Sequence, residues 1–160
     1  MDGSRREPIT PEGHARLTKE IEHIKFVERP ANIKAIEEAR SHGDLSENAE
    51  YSAAREEQGL IAARLAKYED LLARAEVIDP KAYKGQDIVF GATVDLVDIE
   101  TDDEHRYQIV GTYEADPSKG RISVDSPIAK SLIGKSEGEE VRVRTPRGER
   151  NLAITKVRYL

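Results

Sequence analysis

Asp44 and Glu47 lie three residues apart in the run Ser41-His42-Gly43-Asp44-Leu45-Ser46-Glu47-Asn48-Ala49-Glu50-Tyr51. Around a helix start that spacing lets both carboxylates face the same way. Two chemistries fit it. An acidic residue followed three positions on by Glu is close to a capping box, the acidic counterpart of Ser-x-x-Glu, and then does no more than satisfy backbone donors. Alternatively the pair is part of a magnesium site, because magnesium keeps several waters and takes only one or two protein carboxylates beside substrate phosphates. With no general base or phosphate cradle of their own, two such carboxylates act only after insertion into a partner that supplies metal and substrate. In a two-metal phosphodiester reaction they would hold the second ion and orient the attacking water.

The elements that position this pair are set by periodicity. Thr10 reads as an N-cap with Pro11 at the first helical position, and Leu17, Ile21 and Ile24 follow at helical spacing. The helix is expected to run from residue 10 to about 41, ended by His42 and Gly43. Pro30 lies inside it and, lacking a backbone donor and crowding the preceding turn, predicts a kink or local break. Beyond it the apolar register, Ile33, Ile36 and Ala39, is less regular. A second helix is expected from near Ser46 to about Glu76. Its seam is Ala54, Gln58, Ile61, Leu65, Tyr68, Leu72 and Ala75, in alternating steps of four and three. The short connection between the helices makes them antiparallel neighbours with the acidic turn at their end.

After Asp79 and Pro80 the period changes. Ala92, Val94 and Leu96, then Tyr107 and Ile109, Val141 and Val143, and Leu152 and Ile154 alternate as half-buried strands do. Turn signals stand at Asp102 and Asp103, at 116–120 and at 146–148. Ser126 and Pro127 start one short helix, and Gly134 closes it. The expectation is an α+β chain: an antiparallel coiled-coil hairpin over 8–80, a linker over 81–84, and a small antiparallel β domain with one short helix over 85–160.

Composition narrows the function. The 160 residues carry 35% charged side chains but a formal charge of -6, which argues against a broad basic face gripping nucleic acid. The absence of cysteine excludes disulfides and thiolate sites and points to the cytoplasm. No stretch approaches the roughly 20 apolar residues of a membrane span, and the start of the chain is polar. The four histidines lack metal-ligand spacing.

Several ordered motifs are similar to those of the bacterial Gre family, the transcript cleavage factors of RNA polymerase. They are Glu38-Ala39-Arg40, His42-Gly43-Asp44-Leu45 with Ser46-Glu47-Asn48-Ala49-Glu50-Tyr51, and Ala54-Arg55-Glu56-Glu57-Gln58-Gly59. Downstream come Phe90-Gly91, Tyr107-Gln108-Ile109-Val110-Gly111, Asp125-Ser126-Pro127-Ile128-Ala129 and Leu132-Ile133-Gly134-Lys135. The resemblance covers residues 9–160. It implies a coiled coil that enters the secondary channel of RNA polymerase and an FKBP-like domain that docks at the channel rim. It further implies cleavage of backtracked nascent RNA in the polymerase's own active site, so that the protein is not an enzyme by itself.

In that scheme Asp44 and Glu47 help bind a second Mg2+ shared with the polymerase, and Leu45, Ser46 and Asn48 support the tip. Arg40 and Arg55 match a basic patch near the RNA, while Asp125, Ser126, Pro127 and Ile128 match a polymerase-docking element. No small-molecule substrate and no membrane is implied. Three further readings stay open: a relative that binds polymerase without stimulating cleavage, a prolyl isomerase or chaperone suggested by the fold alone, and a structural adaptor whose carboxylates only cap a helix.

Overall fold

The computed structural model describes residues 5–44 and 48–160. The chain divides into two compact units. One comprises residues 14–75 with Arg5, and the other residues 6–13 together with 76–160.

The first unit is a helical hairpin. α1 (Pro11–His23) runs into a π-helical turn (Ile24–Glu28) and then α2 (Arg29–Arg40), and α3 (Ala49–Arg74) returns alongside. The break expected at Pro30 is this π turn. Proline cannot donate to the helix, and the wider turn, with Arg29 N–H bonding Ile24 O, releases the chain one residue before it. A π turn absorbs one extra residue. The buried seam therefore steps from Ile24 to Asn32 in eight residues instead of seven, and continues at Ile36 and Ala39. Ile33 is consequently displaced from the seam and 46% exposed, whereas Asn32 is 3% exposed. On α3 the expected seam holds: Ala54, Ile61 and Leu65 are buried, and Gln58, Tyr68 and Leu72 are half-buried.

The second unit is built on a five-stranded sheet of β3 (Thr93–Asp98), β4 (Glu104–Val110), β5 (Arg121–Ser123), β6 (Glu140–Thr145) and β7 (Gly148–Arg158), in the order β5-β4-β3-β7-β6. The sheet is mixed where an antiparallel one was expected. β4 and β5 pair in parallel, Gln108 with Arg121 through Val110 with Ser123, because the connection over 111–120 is long enough to carry the chain back. The remaining pairs are antiparallel. The turn signals fall where the chain reverses, with Asp102 at φ 61, Gly120 at φ 72 and Gly148 at φ 120.

α4 (Pro127–Leu132) lies against the sheet, burying Ala129 and Leu132 in a core with Val94, Leu96, Ile109, Leu152 and Ile154. As expected, Ser126 caps it, its hydroxyl accepting from Ala129 N–H at 3.3 Å. β7 carries a bulge opposite Asp95 and Leu96, where the Thr155 hydroxyl donates to Asp95 O at 3.1 Å.

Two short strands, β1 (Glu7–Ile9) and β2 (Ala75–Val77), pair with each other, and Ile78 N–H donates to Ile9 O at 2.9 Å. The start of α1 belongs to the β-rich unit because of Glu114. This residue is 1% exposed and its carboxylate accepts from Thr10 N–H and Gly111 N–H, both at 3.0 Å, from the Thr10 hydroxyl, and from Arg121 Nη2 at 3.3 Å. The Thr10 hydroxyl in turn accepts from Gly13 N–H at 3.1 Å, the N-cap expected from sequence. Glycine at 13 is required by packing, since a Cβ there would collide with the Glu114 carboxyl. No helix among the described residues is long and apolar enough to cross a membrane.

Candidate functional site

The tip is made by the last turn of α2, the acidic connection and the first turn of α3. α2 ends with Ser41 N–H shared between the Glu37 and Glu38 carbonyls, and Gly43 at φ +109 turns the chain away, a conformation that favours glycine. Asp44 follows, exposed, in a shallow concavity shared with His42, Asn48, Ala49 and Glu50. Leu45, Ser46 and Glu47, three of the expected tip residues, lie outside the described residues.

The capping of α3 falls to Asn48. Its Oδ1 accepts from Tyr51 N–H at 3.0 Å, which makes Tyr51 the third helical residue and places Asp44 four positions ahead of the cap. Asp44 is therefore not the N-cap of this helix. Asn48 has a second bond: Nδ2 donates to Ala39 O at 2.7 Å, tying the start of α3 to the last turn of α2. The expected basic residues lie on the same unit. Arg40 sits over the Tyr51 ring, 5.9 Å from its centroid, and Arg55, one heptad beyond the cap, bonds Gln58 Oε1 at 2.9 Å. Both arginines are exposed.

The donor set suits a hard oxygen-seeking cation only in part. Among the described residues no group of three or more His, Asp or Glu side chains is placed to hold a metal ion. A single exposed aspartate is within the one-or-two-ligand share that magnesium takes from a protein when phosphates and water complete its shell. Residues 125–128 belong to the other unit. Asp125 and Pro127 are exposed, whereas Ser126 spends its hydroxyl on the α4 cap and Ile128 packs partly against the core.

Residues 7–77 match the family described as "Transcription elongation factor, N-terminal", and residues 84–159 match "Transcription elongation factor, GreA/GreB, C-term". A transcription elongation factor GreA of Phenylobacterium zucineum is 55% identical over 153 residues, covering 96% of this chain and 98% of its own. One from Xanthomonas axonopodis is 53% identical over 156 residues, covering 97% and 99%. The chain belongs to the GreA/GreB family of transcription elongation factors. Among solved structures, the GreA factor homolog 1 (Gfh1) of Thermus thermophilus is 27% identical over 96% of this chain and 99% of its own, with a TM-score of 0.45.

One residue of this GreA/GreB-family hairpin was missed from sequence. Asn32 is buried in the seam, and its Nδ2 donates to Ala54 O at 2.9 Å. The available signal was an amide four residues before Ile36 on the apolar stripe, obscured by the π turn that shifts the stripe into that phase.

Proposed function

We propose that this chain binds RNA polymerase through its β-rich unit, inserts the hairpin into the secondary channel, and stimulates the polymerase's own cleavage of backtracked nascent RNA. The observation that carries this reading is the division of labour at the tip. Asn48 supplies the cap of α3, and Asp44 stands exposed four positions ahead of it. Asp44 and Glu47 would then contribute carboxylates to a Mg2+ ion shared with the polymerase. When bound there, magnesium supplies Lewis-acid activation of water against a phosphodiester. This chain's own share is to carry two negative charges between the ends of α2 and α3 and to orient the water between them and the RNA. Arg40 and Arg55 lie close enough in sequence to the tip to offset phosphate charge beside it. Asp125 and Pro127 present the exposed part of the docking element.

The test is RNA cleavage in a backtracked elongation complex with magnesium, comparing the native protein with the Asp44→Asn, Glu47→Gln double variant. The native protein should stimulate cleavage. The variant should bind equally well yet lower the stimulated rate at least about tenfold, or about 1.4 kcal/mol of transition-state stabilisation. Stimulation by both proteins would reduce the carboxylates to bystanders. Binding without stimulation by either would make the chain a regulator that occupies polymerase without provoking cleavage.

A further inference from the structure

Two amide side chains cross the hairpin in opposite senses. Asn32 on α2 donates to Ala54 O on α3 at 2.9 Å, and Asn48 at the head of α3 donates to Ala39 O on α2 at 2.7 Å. Seven residues separate Asn32 from Ala39 and six separate Asn48 from Ala54, so the ties lie about 10 Å apart along the helices at 1.5 Å per residue. They close a four-cornered frame, with the acidic turn directly beyond it.

Apolar packing alone would not choose this arrangement. Within the frame the seam is Ile36, Ala39 and Ala54, and alanine side chains are shallow knobs that resist sliding weakly. Hydrophobicity also favours a different rotation of α2. The chain buries Asn32 to 3% exposure while leaving its α2 neighbour Ile33 at 46%. A buried amide is costly unless bonded, and a carbonyl only accepts, so the Asn32 amide nitrogen must meet one particular oxygen at one axial setting. A slide of α2 along α3 by a whole residue, about 1.5 Å, would carry both amides away from the carbonyls they bond.

We infer that Asn32 is a positioning residue: with Asn48 it fixes the axial and rotational setting of α2 against α3, and so delivers Asp44, just beyond α2, at the height the reaction needs. This rests on the tip reading above. Asn32 gives up stability for that definition, as a polar residue in an apolar seam does. Leucine in its place would fill the seam without naming a partner atom.

The experiment uses the full chain, whose lack of cysteine allows spin labels to be attached at Glu37→Cys and Glu56→Cys, both exposed positions. Distance distributions, melting temperature and stimulated cleavage at saturating protein are compared with Asn32 present and with Asn32→Leu. The expected result is an unchanged or higher melting temperature, a broader or shifted distance, and a maximal cleavage rate lowered about three- to tenfold with the half-saturating concentration unchanged. Asn32→Ala, which removes the tie without adding apolar bulk, should broaden the distance in the same way. A distance distribution as narrow as the native one in both variants overturns the frame. A broadened distance with an undiminished maximal rate overturns the positioning role. If the native protein fails to stimulate cleavage, the tip reading is lost, while broadening in the variants still upholds the frame and its fixing of the tip.

Discussion

Where the β-rich unit fills its interior with Val94, Leu96, Ile109, Leu132, Leu152 and Ile154, each at most 2% exposed, the outer hairpin fills its seam with Asn32, Ile36, Ala39 and Ala54. The first interior is held by volume. Many apolar contacts share the load there, and no single atom names its partner. The second adds to a thinner apolar seam a few directional bonds that set its placement, Asn32 to Ala54 O and Asn48 to Ala39 O, beside the Glu28–Arg64 ion pair. A unit held by volume tolerates relocation of individual bonds but not of mass. A unit held by directional bonds can lose placement while keeping its helices.

The largest expected break in that contrast is Leu152→Ala. Leu152 is fully buried between β3 and β6, and its truncation should destabilise the β-rich unit by about 2–5 kcal/mol. The equivalent Leu65→Ala in the hairpin should sit at the low end, about 2 kcal/mol, because two helices can close on a smaller side chain. Urea denaturation followed by helical circular dichroism and by a tyrosine signal from the β-rich unit compares the two. Equal losses would show that the hairpin too is held by volume.

Asn48→Ala comes next. It removes the α3 cap and the cross-tie together, at about 1–2 kcal/mol. Hydrogen exchange should speed up at Tyr51 and Ser52 and leave the protection of α3 around Leu65 unchanged. Uniform loss along the helix would mean that the cap governs the whole hairpin.

The smallest effect sharpens the comparison from the other side, with a directional contact on the sheet surface. Asp95 accepts from Arg106 Nε at 2.7 Å and from Arg158 Nη1 at 2.6 Å. The Arg106 hydrogen bond, and then that of Arg158, hold its carboxyl below the ordinary value of 3.8 against the opposing effect of burial. A carboxylate depressed in the folded state stabilises fully above its unfolded pKa and loses that contribution as the pH falls through the folded one. Native protein should therefore lose stability from about pH 4 downward. Asp95→Asn should remove part of that acid dependence at a cost of about 1 kcal/mol at neutral pH. Melting temperatures between pH 2 and 7 for both proteins measure it, and parallel curves would assign the acid loss to other groups.

Much of this was legible in local chemistry. Thr10 with Pro11, Ser126 with Pro127, and the α3 seam through Ala54, Ile61 and Leu65 each carry their signal within one or two helical turns. What escaped depends on distance. The π turn shifts the stripe by one residue, so Ile33 was read into the apolar register and Asn32 was passed over. The β1–β2 pair joins three-residue strands more than 60 positions apart, too short to show an alternation. The parallel β4–β5 pair follows from how a ten-residue connection folds back, which no strand pattern encodes. At the site itself, Asp44 and Glu47 read either as a capping box or as half a magnesium site, and the sequence did not single out Asn48 as the cap. Asn48, two positions beyond Ser46, holds the cap, because an amide there reaches both Tyr51 N–H and the opposite helix.

Glu114 closes on Thr10 across 104 residues, and a growing chain must wait for that closure. At about 5–20 residues per second, Thr10 leaves the ribosome roughly 5–20 seconds before its acceptor does. Asn32 and Ala54 are only 22 residues apart, and Asn48 and Ala39 only nine. The tip end of the hairpin can therefore assemble while the β-rich half is still being synthesised, and the first turn of α1 is locked last. During synthesis the acidic end is ready before the opposite end of the hairpin is secured.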